Sequence, residues 1–380
     1  MIHSLSRKGR GSRGVNSTPS PLEGEGWGEG GWEEANVQFQ VVNPFDYADW
    51  NERLASLGSS SFFNTVQWAR VLSASYGYEP CYIVGVNGGD FVSLLPMMHI
   101  NSWLTGRRGV ALPFSDYCEP VVCEADRGKA VEDYLKQLGR EKRWRYFEIR
   151  NAGDFKIGAP FSATYLTHSL DLTHGEQYLS DKLQSSVRTS IRKARKAGVE
   201  VTVSGELDAV RVFYKLNCIT RKRHGLPPQP FVFFQNLHQQ VLAKGMGDVI
   251  TAWHKGKAIA ASLFCHFGRK ALFKYGASDK KFQDLRGSTL VMWEAVRHYA
   301  CNGYDQLSLG RTEPTNAGLR RFKLGWGAAE TEICYTKYDF IRNRYVENIN
   351  YTSDPGYGLV KMLPLSCSRL IGTLLYKHMA

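Results

Sequence analysis

The sequence predicts an α/β protein whose strands and helices form α+β layers and whose chain folds as two domains with mixed, mostly antiparallel sheets. The chain has 380 residues, which is longer than one hydrophobic core usually supports. Hydrophobic residues make up 43% of the chain and aromatic residues 12%, enough to fill two cores. Runs typical of strands alternate with segments of helical periodicity. No apolar run reaches the roughly 18 residues that a transmembrane helix needs, so a membrane-spanning protein is not expected.

Composition divides the chain into two tails and two domains. Residues 1–36 are rich in Gly, Ser and Pro and lack apolar periodicity, which predicts a disordered tail. Residues 37–172 and 173–345 are the expected domains, and residues 346–380 are an expected amphipathic tail. The first tail has no apolar segment of about 7 to 15 residues, as a secretory signal would require. The eight cysteines form no Cys-x-x-Cys pair, which fits a reducing cytoplasm and gives a metal site no support.

The first domain is expected to begin with an edge strand, because the residues from Val37 to Val42 alternate in polarity. Asn87-Gly88-Gly89 is a strong signal for a hairpin turn. The other elements expected here are helices at Trp50 to Leu57 and Phe62 to Tyr76, hairpin strands at Pro80 to Gly85 and Phe91 to Met98, and strands at Tyr146 to Arg150 and Tyr165 to Leu172.

A short loop in this domain, Leu112 to Cys118, combines a carboxylate, a hydroxyl and a phenol. Asp116 and Tyr117 are its candidate binding residues, since functional sites tend to lie on loops held by rigid elements. The alternative is a tight turn of Pro, Ser and Asp that covers an aromatic core.

The second domain is predicted to contain a meander of three strands. These strands are Asp248 to His254, Ala258 to Phe267 and Lys270 to Gly276, with short turns at Gly256 and Gly268.

A helix is predicted to begin at Gly287-Ser288-Thr289 and to end at Cys301-Asn302-Gly303 with a C-cap glycine. The first N–H groups of a helix lack internal partners and point outward with the positive end of the helix dipole. This turn is therefore a candidate anion site. Beyond the helix, a strand at Leu307 to Gly310 is expected to lead through Arg311 into a loop that reaches Gly327. Apolar residues at near-helical spacing support the helix, namely Leu290, Val291, Trp293, Val296 and Tyr299.

Residues 185–198 predict a helix with an apolar face and a neighbouring basic face formed by Arg188, Arg192 and Arg195. Such arginines can grip a diphosphate or a nucleic-acid backbone through bidentate bonds. The alternative is a solvated charged face. A second basic helix is expected to end near His224, which is expected to be a capping or surface histidine, with a general base as the alternative.

Several segments of the chain resemble a known family. Tyr275 to Gly327 has the order of strand, pyrophosphate-type turn, helix and strand that is the central motif of the GNAT acyltransferases. Its continuation SLGRTEPTNAGLRRFKLGWG resembles the C-terminal half of the FemABX group of peptidoglycan-bridge aminoacyltransferases and FemAB-related proteins. The resemblance extends to SSVRTSIRKARKAGVEV and TRKRHGLPPQPFVFF and, more loosely, to SSFFNTVQWARVL and LPFSDYCEP.

The resemblance implies two GNAT-like domains with a cleft between them, lined by the region of Asp116 and Tyr117. It implies that Lys323 stabilises negative charge during acyl transfer beside Phe322, and that Arg188 helps to hold a substrate diphosphate. Arg192 and Arg311 are further candidates for binding the substrate, and the alternative for Arg311 is an ion pair with Glu313. The residues implied in donor binding are Tyr275, Arg286, Gly287, Ser288 and Thr289.

The donor implied is acyl-CoA or aminoacyl-tRNA, and no tightly bound cofactor is expected. The turn at Leu285 to Ser288 has one glycine where typical GNAT enzymes have two, and no insertion is long enough for the helical arm of some FemABX members, so the donor stays open. The acceptor implied is an amine of a cell-envelope precursor, either peptidoglycan or exopolysaccharide, including an anionic or lipid-linked glycan. A net charge of +12 fits anionic partners such as a diphosphate, coenzyme A, tRNA or a membrane surface. A non-catalytic tRNA- or polyanion-binding protein with a degenerate GNAT fold is the alternative.

The C-terminal residues 358–380 contain two short amphipathic pieces separated by Pro364. One hypothesis is that they lie on the inner face of the plasma membrane, so that a cytoplasmic protein is held there peripherally. The alternative is a tail helix packed on one of the domains.

Overall fold

Two β-sheets and the helices that pack on them make up the part of the chain described by the computed structural model, which is residues 37–59, 61–118, 120–122, 128–151, 159–347 and 358–379. From Val37 onward the chain packs as one compact unit. In these residues, no helix is both long enough and apolar enough to cross a bilayer.

The strands, in chain order, are β1 Gln38–Val42, β2 Glu79–Pro80, β3 Tyr82–Asn87, β4 Asp90–Leu95, β5 Met98–Ser102, β6 Gly106–Val110, β7 Val121–Val122, β8 Tyr146–Arg150, β9 Ala163–Asp171, β10 Glu200–Ser204, β11 Gly247–His254, β12 Lys257–Phe267, β13 Lys270–Ser278, β14 Gln306–Thr312, β15 Ala329–Asp339 and β16 Arg344–Val346. The helices are α1 Trp50–Ser56, α2 Val66–Tyr76, α3 Gly128–Glu141, α4 Gly175–Lys182, α5 Ser185–Lys196, α6 Leu207–Arg223, α7 Phe231–Gln240, α8 Gly287–Cys301, α9 Ala317–Leu324, α10 Gly358–Met362 and α11 Leu365–Leu375.

A large sheet runs through both halves of the chain. Among the described residues it has 12 strands in the order β10-β11-β12-β13-β14-β9-β15-β8-β6-β5-β2, with β16 paired to β15. A smaller sheet has the order β1-β3-β4-β7. Strand β9, from the first half, lies between β14 and β15 from the second half and pairs antiparallel with both. The two halves therefore share one continuous backbone ladder.

Each half contains one pair of parallel strands joined through a helix. Strands β6 and β8 are parallel and α3 precedes β8, while β13 and β14 are parallel and joined by α8. The other pairings between described strands are antiparallel. This repeated unit, on a sheet that is mostly antiparallel, confirms the predicted α/β fold class.

The hydrophobic core also crosses between the halves. Trp68 on α2 and Phe233 on α7 belong to the same buried cluster, and their ring centroids are 6.1 Å apart. A second cluster around Trp293 and Trp326 lies mainly in the second half but includes Leu170 from β9. The domain boundary expected between residues 172 and 173 stays a prediction.

Several local predictions agree with the structure. The hairpin of β3 and β4 turns at Gly88 and Gly89, whose φ angles of 60° and 96° lie in the region that favours glycine. Helix α8 ends at Cys301 and is followed by Gly303 with φ 77°. The expected tail 1–36 lies outside the described residues.

Two local predictions were wrong. Arg311 lies inside β14 and not after its end, and the expected loop up to Gly327 contains helix α9. The side chain of Asn316 caps α9 by accepting a hydrogen bond from the Leu319 amide at 3.1 Å. The residue that α9 buries is Lys323, whereas its apolar side chains Leu319, Phe322 and Leu324 are exposed, so hydrophobic periodicity was a poor guide to this helix.

The C-terminal segment folds as two helices separated at Pro364, as the sequence predicts, and α11 packs on α6. Gly372 of α11 lies directly against the Pro228 carbonyl. Arg221 on α6 donates a 2.6 Å hydrogen bond to the Tyr376 hydroxyl. The C-terminal segment therefore packs on the rest of the protein, which agrees with the alternative of a packed tail helix.

Candidate active site

The parallel strands β13 and β14 diverge after a short common stretch. Their pairing covers Lys270 to Leu272 on β13, whereas β13 continues to Ser278 and β14 to Thr312. A β-bulge sits where they separate, because β12 pairs with Phe273 and then with Tyr275, leaving Lys274 without a register partner. The two strands therefore share three paired positions before they separate.

Helix α9 brings Lys323 to the open side of β14. Its Nζ donates hydrogen bonds to the backbone carbonyls of Gly310 at 2.7 Å and Arg311 at 3.0 Å. The residue is only 3% exposed. Burial lowers the pKa of Lys323 to about 8, an effect that the Asp116 carboxylate opposes and Arg311 reinforces. Lys323 is thus a buried cation beside the diverging strands, and not a surface lysine.

The loop after β6 places Asp116 next to the same strand. Leu112 and Phe114 adopt positive φ angles of 49° and 59°, which fold this loop tightly. The backbone carbonyl of Asp116 accepts a 2.7 Å hydrogen bond from the Tyr335 hydroxyl on β15. A Cβ atom at Gly310, where φ is 72°, would lie 3.2 Å from Asp116 Oδ2. Glycine at position 310 therefore allows the carboxylate to approach β14.

Lys274, the bulged residue of β13, is a second buried cation at the site. Its Nζ donates to the Phe114 carbonyl at 2.6 Å and lies 3.5 Å from Asp116 Oδ2. The rings of Phe63 and Trp68 lie 5.0 and 5.6 Å from this nitrogen. Burial lowers the pKa of Lys274, and the negative charge of Asp116 opposes that shift.

Two arginines complete what we call the cationic cluster, defined as Lys274, Lys323, Arg311 and Arg150. Arg311 stacks over the Tyr165 ring at 4.1 Å and donates to the Tyr335 hydroxyl at 3.0 Å.

Arg150 donates to the carbonyls of Leu112 and Ser115 at 3.2 and 3.0 Å, and pairs with Glu148 at 3.0 Å. The four cations face two carboxylates, those of Asp116 and Glu148. The cluster therefore has an excess of positive charge that suits an anionic ligand.

A pocket of about 510 Å³ opens at the N-terminus of α8. The first backbone hydrogen bonds of α8 are donated by the amides of Thr289 and Leu290 to the Arg286 carbonyl. The amides of Gly287 and Ser288 come before these in the chain. Arg286 has φ 58° and forms the N-cap. The pocket is lined by Arg223, His224, Ile259, Ala260, Ser278, Asp279, Lys280, Phe282, Gln283, Arg286, Gly287, Ser288, Thr289 and Phe322.

This donor pocket, as we name it, adjoins the cationic cluster. Phe322 is 40% exposed and lines the pocket, while the next residue, Lys323, is buried at β14. Gly287 packs against Ile259, since a Cβ atom there would lie 2.8 Å from Ile259 Cδ1. Glycine thus lets the helix N-terminus approach the sheet closely.

The structure brings several of the predicted site residues together and places others apart from them. Asp116, Arg311 and Lys323 do converge, and Arg286, Gly287, Ser288 and Thr289 line one pocket. Tyr275 does not line that pocket and packs against the aromatic core, 5.7 Å from the Phe234 ring. Tyr117 is half-buried and packs edge-on against Phe63 at 5.6 Å.

The arginines of α5 lie apart from the cluster in the described contacts. Arg188 donates to the Asp181 carbonyl at 3.3 Å, and Arg192 is exposed. No hydrogen bond or ion pair between described residues joins either arginine to Lys323 or Asp116. Their expected role in substrate binding stays a prediction.

Sequence reasoning missed Lys274, Tyr165, Tyr335 and the pocket role of His224. Lys274 directly follows the apolar run Ala271 to Phe273 of β13, and a lysine in the middle of such a strand is a signal that could have identified it. His224 does cap α6, but it also lines the donor pocket. Burial lowers the pKa of His224, and Arg223 adds to this effect. Tyr165 and Tyr335 belong to no motif and reach the site only through sheet pairing.

Comparison with known proteins agrees with this geometry. Residues 181–330 match the family model of the Acetyltransferase (GNAT) domain, a range that contains the donor pocket and Lys323. No curated protein matches the sequence significantly. Solved structures with a similar fold include FemX, at TM-score 0.62 and 13% identity, covering 78% of this chain and 96% of FemX.

A tandem GNAT protein from the clavulanic acid biosynthesis pathway is similar at TM-score 0.52 and 14% identity, covering 80% of this chain and 98% of that chain. L-PGS from Bacillus licheniformis is similar at TM-score 0.50 and 13% identity, covering 87% and 98%. At these identities the likeness concerns the fold. Together with the family model, it shows that residues 181–330 are similar to a GNAT acetyltransferase domain and that the chain has a fold similar to that of FemX.

Proposed function

We propose that the protein transfers an acyl or aminoacyl group to an amine of an anionic cell-envelope precursor, of the peptidoglycan or exopolysaccharide class. The observation that carries this proposal is the position of Lys323. A buried ammonium lies at the divergence of β13 and β14, directly beside a pocket built on a helix N-terminus. Such a pair places a charge for a developing oxyanion next to a site for an anionic donor.

In the proposed reaction the donor's phosphate groups bind the amides at the start of α8 together with Arg286. The acyl carbonyl lies between the diverging strands. The acceptor amine attacks this carbonyl, so that a C–N bond forms and the C–S bond of a thioester, or the C–O bond of an aminoacyl ester, breaks. The amine proton ends on the leaving group. Lys323 and backbone N–H groups stabilise the negative charge of the tetrahedral intermediate.

The acceptor is proposed to be anionic because the cationic cluster has more positive than negative groups. Arg311 can meet such a ligand, since it is only partly buried and is held between Tyr165 and Tyr335. An arginine fixed in this way presents its planar group for bidentate binding of a carboxylate or phosphate. The resemblance to the FemABX group supports a cell-envelope acceptor.

The donor can be identified by thermal denaturation of the purified protein with acyl-CoA or with aminoacyl-tRNA. A donor at a hundredfold its Kd should add about 2.7 kcal/mol to the free energy of unfolding. We expect Arg286→Gly to weaken this effect without loss of stability, because glycine accepts the positive φ at this position.

Arg143→Gly is a matched control. Arg143 also has a positive φ, 54°, but lies outside the pocket. Its replacement by glycine removes the same charge as Arg286→Gly does. Failure of both donors to stabilise the protein would count against the proposal.

A non-catalytic polyanion-binding protein would behave differently as salt increases. Its affinity for tRNA should fall steeply and uniformly with salt, since counterion release would dominate binding. Steep salt dependence together with no transfer of label from either donor to an amine acceptor would favour this second function.

A further inference from the structure

Two segments that are distant in the chain meet at Trp103 and His378, and each exposes large apolar side chains. The turn between β5 and β6 exposes Trp103 by 83% and Leu104 by 52%. On the C-terminal segment, Leu370 and Leu374 of α11 are 61% and 58% exposed, four residues apart on one helix face. We call these residues, together with Met379, the apolar surface.

The two segments are held together by a dense set of contacts. The Trp103 ring packs edge-on against His378 with centroids 5.4 Å apart. Ser102 Oγ lies 2.9 Å from His378 Nδ1. Arg108, almost fully buried, donates to the His378 carbonyl at 2.9 Å, and the Thr105 hydroxyl donates to the same carbonyl at 3.2 Å. The Trp103 turn and the chain end therefore form one fixed structure.

The buried side of α11 explains why its leucines face outward. Ser368, Gly372 and Tyr376 follow at intervals of four residues and are buried against the protein. Leu370 and Leu374 lie between them in the sequence and so point away from this packed face. The exposed leucines are therefore not the residues that hold the helix in place.

The two segments that form the apolar surface carry only positive charges. Residues 98–110 and 358–379 contain no Asp or Glu. They contain five Lys or Arg residues, namely Arg107, Arg108, Lys361, Arg369 and Lys377. Of these, Arg107, Lys361, Arg369 and Lys377 are exposed. The side chain of Arg145 also packs over Gly106 beside the turn.

We propose that this surface docks on an anionic phospholipid bilayer. Tryptophan and leucine side chains enter the boundary between headgroups and acyl chains, while the surrounding cations meet the negative headgroups. Both segments lack acidic residues, so their positive charge is complementary to that of anionic headgroups. This complementarity favours a membrane as the binding partner. The proposal rests on these segments alone and does not depend on the reaction proposed above.

The test is sedimentation of the full-length protein with phosphatidylglycerol-containing vesicles and with vesicles of phosphatidylcholine alone. We expect binding to the anionic vesicles only. Replacing Trp103 and Leu104 together by Ser, or Leu370 and Leu374 together by Ser, should weaken binding at least about tenfold, since the apolar area entering the membrane is lost.

Val203→Ser is the control for these variants. Val203 is an exposed apolar residue on β10, at the opposite edge of the large sheet. This variant should bind vesicles as the unaltered protein does, and melting curves should establish that all variants are folded. No binding of the unaltered protein to anionic vesicles, or equal binding by all variants, would overturn the proposal. A dimer in solution that the Trp103 and Leu104 change dissociates would overturn it in favour of a second copy.

Discussion

The hydroxyl of Tyr335 donates a 2.7 Å hydrogen bond to the backbone carbonyl of Asp116, which lies 219 positions earlier in the chain. The same hydroxyl accepts a hydrogen bond from Arg311 at 3.0 Å. One phenol thus joins the loop after β6 to β14 and β15. The position of the Asp116 carboxylate relative to Lys323 depends on this connection.

Tyr335→Phe should lower kcat/KM for the acceptor by about tenfold, because a carbonyl and a guanidinium lose their shared partner. We expect a higher KM for the acceptor and unchanged donor affinity, since the donor pocket lies at α8. Steady-state kinetics with varied acceptor would measure this. Tyr338→Phe is the matched control, because the Tyr338 hydroxyl on the same strand bonds to Asn343 instead. An equal effect of the two changes on acceptor KM would contradict the prediction.

Lys323→Ala should lower kcat by about 10²- to 10³-fold, the usual cost of removing one group that stabilises an oxyanion. Donor affinity should stay within a few-fold, because the charge is needed mainly in the transition state. Single-turnover rates and donor titration would separate the two quantities. Arg321→Ala, an exposed cation on the same helix, should leave kcat unchanged. Normal turnover in a folded Lys323→Ala protein would rule out the proposed role.

The rate should fall as pH rises through about 8, because burial lowers the pKa of Lys323 to about 8 and its charged form is the active one. Deprotonation of the acceptor amine has the opposite effect, so the profile should be bell-shaped. The residual activity of Lys323→Ala should not decline at alkaline pH. A decline at the same pH as in the unaltered protein would mean that another group causes it.

The same shift predicts an effect on stability. Between about pH 8 and the ordinary lysine pKa of 10.5, the unfolded chain binds more protons at this residue than the folded protein does. The contribution of Lys323 to stability should therefore increase as pH rises across this window. Denaturant unfolding of the unaltered protein and of Lys323→Ala across this pH window would measure the difference in their free energies of unfolding.

Replacing Arg188 and Arg192 together by Gln should weaken acceptor binding far more than it lowers the melting temperature, if the basic face of α5 holds an anionic part of the acceptor. Exposed charges contribute little to folding stability. Lys193 and Lys196 on the same helix, changed together to Gln, provide a control with equal loss of charge. A large drop in melting temperature with unchanged acceptor affinity would make Arg188 and Arg192 structural.

Local chemistry made some features predictable. The two glycines of the β3–β4 turn and the glycine after α8 require backbone angles that few other residues adopt, and both positions were predicted from sequence. The helix start at Gly287, a candidate anion site because it combines unpaired amides with a dipole, was also predicted from sequence. Each of these signals lies within a few neighbouring residues.

The features that could not be predicted depend on distant parts of the chain. Helix α9 buries a lysine and exposes its apolar side chains, so a search for a buried apolar face does not find it. Tyr335 and Asp116 meet because β15 pairs with β8 and β9, and nothing near Tyr335 in the sequence indicates this pairing. Lys274 enters the site because a bulge in β13 turns it there. Motif reasoning found members of the site but not the contacts that assemble it.

The position of β9 has a consequence for how the chain is made. During synthesis the first half leaves the ribosome before β14 and β15 exist, so β9 waits with both edges unpaired. Pairings of such long sequence separation form late and slowly. A chain severed between residues 172 and 173 would leave two fragments with open sheet edges, which we expect to aggregate separately and to regain solubility only when expressed together.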